Sequence, residues 1–219
     1  MTQPPFDPEA PTVVEPQEPI GPQFPRSFEE LFGGRKGIVD SALPPVAFVA
    51  VNSWKGLDAA IWTAVAVGVV LFVWRLVRKE PLRHTFSGFL GIVIAAAIAK
   101  QTGEAKGFFL PGIAINAVYA TVFVGSVLVR RPIVGMLYKA FKNHPPEWFE
   151  HPKVRRAYSE ATLLWGGMFV SRVLVQLLFY KADKVGWLGA TKLAMGWPLT
   201  VAVLAATVPL INRRTAGVA

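Results

Sequence analysis

Apolar residues in this chain come in long blocks set close together, with short polar segments between them. A block of roughly 20 predominantly apolar residues, rising 1.5 Å each as a helix, matches the thickness of a bilayer core. The pattern predicts six such blocks, near 37–53, 57–76, 84–100, 108–129, 159–180 and 186–210. The fold class is therefore all-α, a polytopic bundle of transmembrane helices. The first block contains Asp40 and the Pro44-Pro45 pair; two prolines remove amide donors and kink a helix, so a broken or re-entrant segment is an alternative there. The third is short and rich in small residues (Gly88, Gly91 and Ala95 to Ala97), which predicts close packing at the bundle centre. In the last block, Pro198 and Pro209 are expected to kink or end the helix.

Outside the blocks the chain changes character. Residues 1–25 are proline-rich, with four acids and no Lys or Arg. Such a segment buries too little apolar surface to offset its ordering entropy, and reads as a disordered leader. Ser27 to Glu30 matches a capping box ahead of Leu31 and Phe32, predicting an interfacial amphipathic helix over 26–36 that ends at Gly33-Gly34. The transmembrane domain then covers 37–211, and 212–219 form a short tail. Within the 130–158 loop, Ile133-Val134, Met136-Leu137, Phe141 and Trp148-Phe149 suggest amphipathic pieces on the membrane face.

Composition sharpens this picture. Apolar residues make up 53% of the chain and charged ones only 17%, with a mean hydropathy of +0.40; that leaves too little polar surface for a soluble domain. No signal peptide is evident, so a later span is expected to direct insertion. The net charge of +9 raises the question of nucleic acid, but the placement of the charges argues against it. Of 23 Lys and Arg, sixteen fall on the side holding the N-terminus, the 2–3 loop, the 4–5 loop and the C-terminus, and five on the other. By the positive-inside bias, both termini are cytoplasmic at the inner (plasma) membrane.

Two cations remain, and both lie inside apolar blocks: Arg172 and Lys192. Intramembrane charge is costly and marks function by default. With antiparallel spans, Arg172 lies about 12–14 Å and Lys192 about 9 Å from the outer end, so they can share a depth. Gln176 stands one turn from Arg172, and Asn116 and Tyr119 offer polar partners from the fourth block. The sharp reading is a site for an anion or a phosphate headgroup. The bland one is that both cations snorkel, or pair with Asp58 and Glu104.

The basic groups Arg75, Arg78, Lys79, Arg83, Arg130 and Arg131 suit anionic lipid headgroups at the cytoplasmic face, although the positive-inside bias alone accounts for them. His84, His144 and His151 lack metal-ligand spacing. Cysteine is absent, and no phosphate loop, dinucleotide fingerprint or nucleophile motif is present. No catalytic residue, metal or cofactor is expected.

An ordered set of short motifs adds a resemblance. Leu43-Pro44 is followed by Phe48-Val49, and a basic turn follows the second block. Asn116, Tyr119 and Ala120 form Asn-x-x-Tyr-Ala ahead of Arg130, Arg131, Pro132 and Ile133. Trp165 leads the fifth block, and Lys192-x-x-x-Gly196 lies in the last. Over about residues 38–210 the chain resembles the intracellular septation protein A family of inner-membrane-spanning proteins, and most of all an actinobacterial branch labelled only as a domain of unknown function. Arg172 has no counterpart in that pattern. The resemblance implies a small polytopic protein of cell-envelope synthesis or septation, acting through envelope or division proteins or through lipids. The alternative is a small anion transporter or channel with a polar path around Arg172 and Lys192. Gly88, Gly91, Gly112 and Gly125 offer surfaces for homo-oligomerisation.

Overall fold

A computed structural model describes residues 34–78, 82–141 and 151–216. The leader over 1–25 and nearly all of the expected interfacial helix lie outside them. Eight α-helices and one 3-10 turn make up the described chain: α1 (Gly34–Lys55), α2 (Leu57–Val77), α3 (Leu82–Thr102), the 3-10 turn Ala105–Phe109, α4 (Leu110–Leu128), α5 (Ile133–Phe141), α6 (Pro152–Lys181), α7 (Val185–Ala194) and α8 (Trp197–Thr215). Among the described residues, four stretches are long and apolar enough to cross a membrane: Leu57–Val77, Ala105–Leu128, Pro152–Lys181 and Val185–Thr215.

α1 continues through Pro44 and Pro45 without a break in its helical run, so the prolines that suggested a broken segment sit inside a helix. Both are buried. Gly34 is the first described residue of α1. A single residue, Gly56 at φ 80°, connects α1 to α2; this left-handed conformation is one that glycine adopts without steric cost.

The helices pack as two groups. In the first, Phe48 of α1, Ala60, Ile61 and Ala64 of α2, Ala95, Ala96 and Ala99 of α3, Phe108 and Phe109 of the 3-10 turn and Leu188 of α7 form one core. The alanines let backbones approach closely, and the Phe48 and Phe108 rings stack at 4.1 Å between centroids. In the second group, Ala120 of α4 packs with Met168 and Phe169 of α6 and Val203 of α8. Farther along α6 and α8, Val154, Tyr158, Ala161 and Ile211 form a third cluster, covered by Val134 and Tyr138 of α5. The Trp165 indole N–H donates to Thr207 Oγ1 at 3.0 Å, a polar tie between α6 and α8.

Several expectations are sharpened. On α3 the alanines Ala95, Ala96 and Ala99 enter the core, and Phe89 and Ile92 stand against Phe72 and Gly68 of α2. Gly88 and Gly91 instead face open space, and Phe86 and Leu90 are exposed. α5 packs Val134 and Tyr138 onto the α6 cluster, while Met136 and Leu137 stay exposed. The last apolar block breaks at Met195-Gly196, ahead of Pro198, while Pro209 sits within α8.

Ion pairs define which helix ends are neighbours. Lys106 pairs with Glu104 at 3.3 Å and Asp183 at 3.5 Å, so the α3–α4 and α6–α7 turns share one end of the bundle. Glu160 pairs with Arg214 at 3.1 Å, setting the end of α8 beside the early turns of α6.

Candidate functional site

The break in the last apolar block sets polar groups inside the bundle. α7 belongs to the first packing group through Leu188, and α8 to the second through Val203. The break therefore falls on the seam between the groups. A Cβ on Gly196 would come 2.7 Å from the Lys192 carbonyl oxygen, so only glycine fits this turn. A helix interrupted within a bundle leaves carbonyls without intrahelical donors, and such backbone is tolerated at membrane depth where protein groups satisfy it.

The Gly196 carbonyl has an intrahelical donor, the Thr200 amide of α8 at 3.2 Å, and Arg172 of α6 adds a tie between helices. Its Nη2 donates to the Gly196 carbonyl at 2.6 Å and to Thr200 Oγ1 at 2.7 Å. Thr200 Oγ1 in turn donates to the Gly196 carbonyl at 2.8 Å. The guanidinium also lies over the Phe169 ring, 5.8 Å from its centroid, within cation–π range. Arg172 Nε is buried and finds no hydrogen-bond partner among the described residues.

Lys192, in the last turn of α7, stands against aromatic faces. Its Nζ is 5.8 Å from the Phe108 centroid and 5.6 Å from that of Phe109. Among the described residues it makes no ion pair. Glu104, one of the acids that could have neutralised it, is engaged by Lys106, and Asp58 is exposed in the first turn of α2.

Arg172, Lys192, Gln176 and Asn116 line one cavity of about 610 Å³, together with Ala42 and Pro45 of α1 and the Met195–Pro198 turn. No carboxylate is among its described lining residues. Gln176 is 5% exposed, and Asn116 Nδ2 donates to the Gly112 carbonyl of its own helix at 2.7 Å. Four of the five residues expected to form an intramembrane site are thus brought together. Tyr119 stands apart, exposed and with its ring 5.2 Å from Phe169.

Sequence reasoning missed Gly196, Thr200 and the Phe108-Phe109 pair as members of this site. Lys192, Gly196 and Thr200 recur at four-residue spacing, but the break at Met195-Gly196 puts Lys192 and Thr200 on different helices, so spacing alone does not join them.

The cytoplasmic-lipid set is more scattered. Arg75 turns inward and pairs with Asp40 at 3.5 Å, while Arg78 is exposed beside the Trp74 ring. Lys79 lies outside the described residues, and Arg83 is placed only as a position at the start of α3. Arg130 and Arg131 are exposed at the α4–α5 turn. Of the histidines, His151 caps α6, its Nδ1 accepting from the Lys153 amide at 3.3 Å; His144 lies outside the described residues. Among the described residues no group of three or more His, Asp or Glu is arranged to hold a metal.

A family model described as protein of unknown function (DUF3159) matches residues 32–217. The chain belongs to that family. No curated protein matches it, and neither does any solved structure. The expected unknown-function label agrees with this assignment; a link to the septation proteins does not come with it.

Proposed function

We propose that this DUF3159 member crosses the membrane six times, with both termini cytoplasmic, and binds an anionic group inside the bundle at Arg172 and Lys192. The observation that carries the reading is the cavity itself. Two cations line about 610 Å³, and no carboxylate is among the described residues of its wall. Uncompensated charge in a low-dielectric interior is costly, and a phosphate or carboxylate would supply the missing partner. Arg172 lines the cavity, and guanidinium groups suit oxyanions because their donors form a planar fork. Gln176 and Asn116 add neutral polar groups to the same wall. The volume lies in the range of small-molecule sites, about 300–1,000 Å³.

The test uses protein purified in a zwitterionic detergent. Two arms separate the sources of the anion: inorganic phosphate, and phosphatidic acid against phosphatidylcholine. Either anion is expected to raise the thermal midpoint of the native chain, and Arg172→Gln with Lys192→Gln to remove the increase. An equal increase in the double variant would overturn the reading.

A second reading, movement of the anion across the membrane, has one observation in its favour. The α7–α8 break lies between two packing groups and beside the cavity, as broken helices do in transporters. Phosphate flux into liposomes, abolished by Arg172→Ala, separates transport from binding. A role in envelope synthesis or septation through protein partners rests on sequence resemblance alone, and co-purification from membranes tests it.

A further inference from the structure

A second cavity, of about 300 Å³, adjoins the first, and Pro45 and Lys192 line both. Its walls are mainly apolar, with Leu71, Phe72, Phe89, Ile92 and Ile115 prominent. At its far end Asp40 and Arg75 pair with each other at 3.5 Å, so the charges there already have a partner. Gly88, Gly91 and Gly112 also line it, and a Cβ at any of the three would meet nothing within 4 Å. On helices with exposed apolar faces, these positions leave a slot open at the side of the bundle.

We infer that the anion held by Arg172 and Lys192 is the phosphate headgroup of a membrane lipid, and that its acyl chain lies in this slot. The inference rests on the anion-site reading above. A free anion would occupy only the charged cavity. An amphiphile matches both compartments, since its charge and its chain meet at the shared boundary where Lys192 stands. Shape and placement, more than burial, select the chain, because hydrocarbon gains little on leaving a bilayer for an apolar groove.

The experiment places the whole chain in phosphatidylcholine nanodiscs containing a small fraction of phosphatidic acid with a mid-chain diazirine. Irradiation is expected to label peptides of α2 and α3 around Phe72, Phe89 and Ile92. Excess unlabelled phosphatidic acid should reduce that labelling at least fivefold, and excess phosphatidylcholine should leave it unchanged. Lys192→Gln should lower it several-fold. Gly91→Phe, with Gly88→Phe as a second variant, should fill the slot and remove the label while keeping stabilisation by inorganic phosphate. Label scattered over the outer surface without competition, alongside intact phosphate stabilisation, overturns the lipid inference and leaves the anion site standing. Absence of both phosphate stabilisation and competed label overturns the two together.

Discussion

Arg172 donates from Nη2 to the Gly196 carbonyl at 2.6 Å, so a charged side chain in the middle of α6 holds the point at which the last apolar block stops being one helix. This contact joins cost to purpose. The Gly196 carbonyl already accepts from the Thr200 amide at 3.2 Å and from Thr200 Oγ1 at 2.8 Å. The arginine is the partner that needs the contact, because its donors require acceptors in an apolar interior, while Nε stays unused.

The turn itself is expected to depend on glycine at 196. Gly196→Ala would drive a Cβ to 2.7 Å from the Lys192 carbonyl oxygen, and forcing backbone apart in a packed site costs about 1–3 kcal/mol. Gly167→Ala is the control, because nothing lies within 4 Å of its Cβ and alanine is favoured over glycine in a helix by roughly 0.5–1 kcal/mol. Reversible unfolding in mixed micelles should show the first variant less stable and the second equal or better.

Close approach between α7 and α1 gives a separable expectation. A Cβ on Gly189 would come 2.8 Å from Val49 Cγ2. Gly189→Ala should therefore destabilise, and Val49→Ala in the same chain should recover much of the loss, because the obstructing methyl is gone. A double-mutant cycle measures it, with a coupling of about 0.5–3 kcal/mol expected for residues in contact. Additive effects would show that the helices can shift apart freely.

At the α4–α5 turn, Arg130 has φ 58°. Its amide bonds to the Val127 carbonyl at 2.9 Å, and that of Arg131 to Ser126 at 2.8 Å, the pattern in which a left-handed residue ends a helix. Glycine takes this conformation more readily than arginine, by roughly 1 kcal/mol. Arg130→Gly should raise stability while weakening the binding of anionic vesicles, and Arg131→Gly should weaken binding without the gain. Loss of stability in Arg130→Gly would contradict the argument.

Membrane orientation can be read with single cysteines, since the chain contains none. Substitution at Lys55 or Lys184 is expected to give labelling by an impermeant maleimide in intact cells. Substitution at Arg130 or Arg213 should require permeabilisation. The reverse result at either pair would invert the proposed topology.

The bundle was largely legible because spanning helices are written in local composition. α2, α4 and α6 overlie the expected blocks, and even the proline-containing first block is helical. Arg172, Lys192, Gln176 and Asn116 were also legible as a group, because polar residues stand out in apolar runs and helical rise sets their depth. Depth, however, says nothing about which helix faces which. Gly88 and Gly91 look like packing residues by type, yet they face open space, whereas Gly189 and Gly196 meet neighbours closely.

The sequence by itself determined that the chain is a helical membrane protein, since apolar block length and charge placement are local properties. Only the tertiary structure decided that the last block breaks at Gly196, that Arg172 bonds to the backbone there, and that the charged and apolar cavities share Lys192. Those outcomes depend on contacts between residues distant in the chain, and steric fit across helices is not encoded in any one segment.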